Sequence, residues 1–215
     1  LISVKPIDLP GLITGITNIF PSFAVPNSVE NLILRNVFIK HGYDNPIFSK
    51  WNFIKNSGID TCPYCNRNYI YYLSRTSEIK PQIDHFFPKS KYPFLALSYY
   101  NLVPSCQTCN GFGAKEEKDP NDEDLINPYL IEPSDFKFTY ETININFLNP
   151  LIDKDSVKVK FLHALDGHLE VFQLEGLYKQ HSDHVLELII KSKVSYSEEY
   201  RKYLASYNGL SFSDK

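Results

Sequence analysis

Two Cys-x-x-Cys pairs constrain the fold of this 215-residue chain more than any other feature of its sequence. The pairs are Cys62/Cys65 and Cys106/Cys109, and they use all four cysteines, with 40 residues between them. Each pair supplies two thiolates from one tight turn, so two pairs complete the tetrahedral sulfur set that zinc prefers. A disulfide framework is typical of small secreted chains, so the pattern favours zinc in a reducing compartment and predicts a cytoplasmic protein.

The alternative interpretation is that these cysteines are redox-active or incidentally buried. The pairing of every cysteine and the aromatic, β-prone residues between the pairs favour zinc instead. Four thiolates leave no open ligand position, so we expect a structural Zn²⁺ ion on which folding depends.

Composition allows a sizeable core, since 43% of the residues are hydrophobic and 14% are aromatic. No run of 18 apolar residues occurs, which predicts no spanning helix and no membrane partner. The hydrophobic pattern changes along the chain from helical spacing to alternation and back, which predicts an α+β fold. We expect three parts, namely an N-terminal helical extension (1–59), a zinc-bound core (60–120) and a C-terminal extension of strands and helices (121–215).

Local signals place the elements within these parts. Asn27 and Glu30 have the spacing of a capping box, and the helix they start should end at His41-Gly42. We expect a helix at Phe48–Asn56, strands at Tyr69–Leu73 and Gln82–Phe87, a brief strand at Asn101–Pro104 and a helix that starts near Gln107 and frays by Gly113. Later in the chain we expect alternating strands at Phe136–Tyr140, Ile143–Phe147 and Val157–Phe161, and a helical segment at Leu177–Tyr207 that ends at Asn208-Gly209. Asp166-Gly167 predicts a tight hairpin turn with His168 exposed beside it.

A His, Asp and Asn set lies between and after the cysteine pairs. Neutral His85 can act as a general base near physiological pH. Asp84 and Asn110 offer oxygen ligands that suit Mg²⁺ or Mn²⁺, and Asn110 follows Cys109 directly, so the second pair would fix its position. Asn101 could tie the loop after His85 to the backbone, since its amide both donates and accepts.

The adjacency of Asp84 and His85 raises a geometric difficulty. Neighbours on a regular strand point to opposite faces, so the two can share a site only where the strand is irregular or ends, as Pro88 suggests. An isolated Asp-His pair would more simply be a surface turn. The flanking cysteine pairs favour the chemical interpretation.

These motifs closely resemble the HNH endonucleases of the ββα-metal class, including the treble-clef variety with four zinc-binding cysteines. The resemblance covers about residues 60–120 and is carried by Asp84–Lys89, Asn101–Cys106 and Cys109-Asn110 with a following Lys. It implies two strands and a helix, His85 as general base, Asn101 steadying the loop, and Asp84 with Asn110 on the catalytic metal. It also implies cleavage that leaves 5′-phosphate and 3′-hydroxyl ends.

A looser resemblance links the chain to PtuB-like HNH nucleases of bacterial anti-phage systems of the Septu or retron-associated type. It is carried by Asn127–Leu130 and by Gly176-Leu177-Tyr178. This resemblance implies a role in defence and an ATPase partner subunit.

The charge distribution bears on a nucleic-acid substrate. The net charge is −3, but Cys62 to Lys118 holds seven Lys or Arg against four Asp or Glu. We therefore expect a local basic face, with Lys89, Lys91 and Lys115 as candidate phosphate contacts, and help from a partner in gripping DNA. Two alternatives remain open, which are a non-catalytic zinc-bound nucleic-acid or protein-binding module and an RNase toxin with the same centre.

Overall fold

The computed structural model describes residues 1–143, 154–192 and 197–206. Helices and two small antiparallel sheets make up these residues, which confirms the predicted α+β class. None of the helices in the described ranges has both the length and the apolar character required to cross a membrane.

Three helices precede the first cysteine pair. Helix α1 covers Leu9–Ile19, α2 covers Val29–Leu34 and continues as a π-helix through Arg35–Tyr43, and α3 covers Lys50–Ser57. The cap of α2 is Ser28, one residue after the predicted Asn27, and its hydroxyl accepts from the Asn31 amide.

A short sheet and a helix form the centre of the chain. Strand β1 (Gln82–His85) pairs antiparallel with β2 (Leu102–Ser105), and helix α4 (Gln107–Asn110) follows β2 directly. Prediction of a strand at Tyr69–Leu73 was wrong, since that segment makes one bridge, between Thr61 and Tyr69. Its place in the sheet is taken by β2, so a hydrophobic core forms where Leu102 meets aromatic residues of the N-terminal helices.

A second sheet lies later in the chain. Strand β3 (Lys137–Thr142) pairs antiparallel with β4 (Val157–His163), and α6 (Leu174–Lys179) and α7 (Ser182–Ile190) pack on β4. Helix α8 covers Glu198–Ala205. The predicted strand Ile143–Phe147, apart from Ile143, and the predicted helix end at Asn208-Gly209 lie outside the described residues.

The predicted turn at Asp166-Gly167 was wrong. These residues begin helix α5 (Asp166–Val171), and His168 is fully buried where exposure was expected. A side chain on Gly167 would come within 2.4 Å of backbone carbonyl oxygens of Glu123 and Asp124. This close approach between distant parts of the chain explains the glycine, which local sequence had suggested was a turn residue.

The chain divides into two compact units, with Leu1–Asp135 and Leu165–Gln173 in the first and Phe136–Ala164 and Leu174–Lys215 in the second. Helix α5 thus belongs to the same unit as the cysteines, although it follows β4 in sequence. The division at residues 59 and 120 stays a prediction about sequence segments.

Candidate metal centre and active site

The first cysteine pair lies on a tight turn between Thr61 and Tyr69. The backbone N–H of Asn66 donates to the carbonyl of Cys62 at 2.7 Å. Asn66 adopts a left-handed conformation with φ of 44°, which asparagine tolerates better than most residues. The turn therefore directs Cys62 and Cys65 toward one point.

The second pair lies where β2 gives way to α4. Cys106 is the residue before the helix, Cys109 lies within it, and the Asn110 amide donates to the Cys106 carbonyl at 3.1 Å. The Cys106 sulfur also accepts from the Asn68 side chain at 3.3 Å. Hydrogen bonds from the other thiols, that of Cys109 first, and from Asn68 lower the pKa of Cys106, which favours the thiolate that a metal requires.

All four sulfur atoms lie within 4.8 Å of one another, and Cys65 and Cys106 are 4.0 Å apart. A tetrahedral zinc ion with bonds of about 2.3 Å separates its sulfur ligands by roughly 3.8 Å, so the spacing fits. The four side chains are buried, which protects the thiolates and excludes competing water. The prediction that four cysteines gather into a site able to hold zinc is confirmed.

Asp84 lies on β1 beside this cluster and is only 3% exposed. The hydroxyl of Tyr64, a residue within the first cysteine pair, donates to its Oδ2 atom at 2.5 Å. Burial raises the pKa of Asp84, while the positive charge of Lys115 and the Tyr64 hydrogen bond oppose the rise. The carboxylate is therefore held by the same turn that presents two of the sulfur atoms.

The surroundings of His85 determine which of its two ring nitrogens carries the proton. Its Nε2 atom lies 3.2 Å from the carbonyl oxygen of Ala96. A carbonyl can only accept, so Nε2 carries the proton and Nδ1 carries the lone pair. Burial, followed by the charge of Lys89, lowers the pKa of His85 to about 3, so the ring is neutral at physiological pH.

Asn101 fastens the loop after β1 with three hydrogen bonds. Its Oδ1 atom accepts from the Phe87 amide at 2.7 Å, and its Nδ2 atom donates to the carbonyls of Phe87 and Leu95, both at 3.2 Å. The side chain is fully buried. Since Leu95 is next to Ala96, these bonds hold the carbonyl that orients His85.

Asn110 lies at the end of α4 and is half-buried. Its Nδ2 atom donates to the side-chain oxygen of Gln82 at 2.8 Å, which leaves the amide oxygen as the atom a cation would use. Gln82 and Asp84 are two apart on β1 and share one face of the strand. The structure thus brings Asn110 to the face of the sheet that carries Asp84.

His85 faces a different set of neighbours from Asp84. Its ring packs edge-on against Tyr43, at the end of the π-helix, with 4.6 Å between the ring centroids. Asp84 instead contacts Tyr64. The two side chains thus differ in their direct contacts, but the charge of Asp84 reaches Tyr43 and the charge of Lys115 reaches both Asp84 and His85, and β1 ends at His85.

The three lysines predicted as phosphate contacts lie in different surroundings. Lys115 is fully buried and its amine donates to the Lys118 carbonyl at 2.6 Å, a location that does not favour direct contact with a phosphate. Lys91 is paired with Asp119 at 2.6 Å. Lys89 is half-buried, and its amine lies 5.3 Å from the centre of the Tyr43 ring.

Sequence reasoning missed three residues of this site, Tyr43, Lys50 and Tyr64. Tyr64 stands inside the Cys-Pro-Tyr-Cys turn, and its position between two ligands was an available signal. Tyr43 and Lys50 lie about 40 residues before His85 and carried no signal, because only tertiary packing brings them to it.

No family model matches the chain, and no solved structure matches it. The chain is 34% identical over 118 residues to the Septu protein PtuB of Bacillus thuringiensis, which covers 51% of this chain and 42% of that protein. It is 27% identical over 158 residues to protein ea31 of Escherichia phage lambda, covering 67% of this chain and 48% of that protein. The chain thus spans about half the length of the curated relatives it matches. The expected similarity to PtuB is confirmed at the level of sequence over half of the chain.

Proposed function

We propose that the chain is a metal-dependent HNH endonuclease that hydrolyses DNA phosphodiester bonds. The observation that supports this most is the fixed tautomer of His85 on the strand that also carries a buried carboxylate, Asp84, beside the four-cysteine cluster. A module that only binds a partner has no need of a buried imidazole oriented by a backbone carbonyl.

In this proposal His85 is the general base, although burial lowers its pKa and so makes it a weaker base while no substrate is bound. Its Nδ1 atom takes a proton from water as the water oxygen forms a bond to phosphorus and the bond from phosphorus to the 3′ oxygen breaks. The departing oxygen gains a proton from solvent, and the ends are a 5′-phosphate and a 3′-hydroxyl. Asn101 keeps the base in position through the loop that carries Ala96.

Asp84 and Asn110 would hold one Mg²⁺ or Mn²⁺ ion through oxygen atoms. These hard cations prefer carboxylate and amide oxygens to sulfur, so the two proposed metal sites select different ions. The bound cation would offset negative charge that develops on the phosphate and on the departing oxygen. The four cysteines would hold structural zinc, which positions Asn110 and, through Tyr64, Asp84.

The similarity to PtuB supports a biological setting. We infer that the chain serves a Septu-type anti-phage defence system and acts with a partner subunit, which the family resemblance suggests is an ATPase. A net charge of −3 agrees with a need for such help in holding DNA.

The test is cleavage of a supercoiled plasmid by the zinc-loaded protein with Mg²⁺ or Mn²⁺, alone and with its partner. We expect nicking or linearisation that His85→Ala abolishes, with zinc content unchanged and the fold intact at the assay temperature. His41→Ala, which removes an exposed histidine in the same unit, is the matched control and should cleave normally.

Three results would contradict the proposal. If the His85→Ala protein still cleaved DNA, His85 would not be the general base. Binding of duplex without cleavage under every metal condition would favour the non-catalytic module. Cleavage of RNA alone would make the same centre a ribonuclease.

A further inference from the structure

Tyr43 connects the N-terminal helices to the proposed general base. It ends the π-helix at Arg35–Tyr43, is 5% exposed, and packs its ring edge-on against His85. The ring is thus fixed on two sides, by its own helix and by the imidazole. A group that contacts the face of the Tyr43 ring therefore lies close to His85.

Two lysine amines approach this one ring. The amine of Lys50, the first residue of α3, lies 4.3 Å from the ring centre, and that of Lys89, in the loop after β1, lies 5.3 Å from it. Attraction between a cation and the ring face fixes each amine, which limits the entropy that would be lost on binding a ligand. Two segments 39 residues apart in sequence therefore place positive charge beside His85.

Among the described residues, carboxylates neutralise these two amines only in part. Asp44 lies 4.0 Å from Lys50, with both side chains about half exposed, so that contact is weak. No carboxylate of the described residues lies within 4.0 Å of the Lys89 amine. Burial lowers the pKa of Lys50, Asp44 opposes this, and Lys89 and Lys80 lower it further, so the cations repel one another. An anion entering between them would relieve that repulsion.

We infer that Lys50 and Lys89 form the subsite that binds a phosphodiester group of the DNA backbone next to His85. The inference rests on the proposed function and extends it, because it makes the N-terminal helical part a source of substrate contacts. Lys50 and Lys89 would each contact non-bridging phosphate oxygens, and the Tyr43 ring would keep both amines near His85. Lys50 would thus make a phosphate contact of the kind predicted for Lys115 and Lys91. The burial of Lys115 and the pairing of Lys91 with Asp119 do not favour that contact.

The chain offers a closely matched control for Lys50. Lys55 lies on the same helix, is exposed, and has its amine 5.8 Å from the centre of the Trp51 ring, so it makes a similar contact away from His85. Lys50→Ala and Lys55→Ala each remove one positive charge and one contact with an aromatic ring. Only the first removes a cation from the proposed subsite.

The experiment measures binding of a fluorescent DNA duplex by the zinc-loaded protein, alone and with its partner subunit, in Ca²⁺, by anisotropy, across a range of salt concentrations. Each phosphate contact contributes about 0.9 to the slope of log affinity against log salt. We expect Lys50→Ala and Lys89→Ala each to reduce that slope by about 1 and to weaken binding several-fold at low salt. Lys55→Ala should change neither, and Lys50→Arg should restore both.

The outcomes separate this inference from the proposed function. If the wild-type protein binds duplex but never cleaves, the function fails and the salt slopes still test Lys50. If the wild-type protein cleaves but Lys50→Ala keeps the full slope, or loses no more than Lys55→Ala, the subsite is wrong and the function stands. A wild-type protein that binds no duplex, either alone or with its partner subunit, overturns the subsite as well. Melting temperature and zinc content of each variant check that its fold is intact.

Discussion

At the scale of single residues, Asp84 shows how neighbouring groups oppose the effect of burial on a carboxyl group. Burial alone would raise its pKa and favour the neutral acid, which binds cations poorly. The Tyr64 hydroxyl donates to one oxygen, and Lys115 supplies a buried positive charge nearby. Tyr64 itself is 2% exposed and stacks on Phe172, with 4.5 Å between ring centroids, so its hydroxyl is fixed in place. Tyr64 and Lys115 thus offset part of the effect of burial and hold the Asp84 carboxyl group in one position.

Replacing Tyr64 tests this arrangement. Tyr64→Phe removes the donor to Asp84 and keeps the ring, so packing against Phe172 should survive. Loss of one second-layer hydrogen bond typically weakens metal binding by about tenfold or more. We expect the Mn²⁺ concentration for half-maximal binding, measured by titration calorimetry, to rise by about that factor while zinc content stays constant.

Tyr92→Phe is the matched control for this prediction. Tyr92 is also buried, and its hydroxyl donates to another carboxylate, Asp119, at 2.6 Å. We expect it to leave Mn²⁺ affinity unchanged. Equal effects of the two substitutions on Mn²⁺ would show that Tyr64 acts through general stability.

At the scale of elements, helix ends and caps, which depend on neighbouring residues, could be predicted. Strand pairing, which depends on distant residues, could not. Helix α3 ends at Ser57, one residue after the predicted Asn56, where Gly58 has a φ of 67°, and the α2 cap was one residue from its predicted place. The pairing of β1 with β2 was not predicted, because the aromatic segment at Tyr69–Leu73 has the stronger local strand pattern. Among the candidate site residues, the cysteine cluster could be predicted from spacing alone, whereas the contact of His85 with Tyr43 could not.

At Gly167 the local sequence pattern predicted a turn where the structure has a helix. Asp-Gly is a strong turn signal, but here the glycine lets α5 approach the backbone at Glu123 and Asp124. In Gly167→Ala the new Cβ would lie 2.2 Å and 2.4 Å from their carbonyl oxygens, so backbone must move. We expect a loss of about 1 to 3 kcal/mol in the free energy of unfolding, measured with urea.

The control for this substitution is another glycine of the same unit. Gly15 lies inside α1, and nothing lies within 4 Å of a Cβ placed on it. Gly15→Ala should therefore be neutral or stabilising by up to about 1 kcal/mol, since alanine is the better helix former. A harmless Gly167→Ala would mean that α5 does not pack against residues 123–124.

At the scale of the whole molecule, the two units have different sources of stability. The first contains all four cysteines and joins short, irregular elements, with β1, β2 and α4 each only four residues long. The second has longer strands and a core of its own, in which Val157 of β4 packs against Leu186 and Ile189 of α7. Strands of four residues bury little surface by themselves, so the first unit should depend on its metal.

Zinc removal tests that dependence. Structural zinc contributes on the order of 10 kcal/mol in small zinc-bound domains, which is comparable to the whole stability of a typical domain. We expect a zinc-specific chelator, or Cys106→Ser, to abolish amide hydrogen-exchange protection in β1, β2 and α4. Protection in β4 and α7 should fall far less, because all four cysteines lie in the first unit. Mass spectrometry of peptides from both units measures the two effects in one experiment.

The control is Ser105→Ala, which alters the residue next to Cys106 and no zinc ligand. If the zinc-free protein kept full protection in β1 and β2, the four sulfur atoms would not be what stabilises this centre. Uniform loss of protection across both units would show that the molecule unfolds as one.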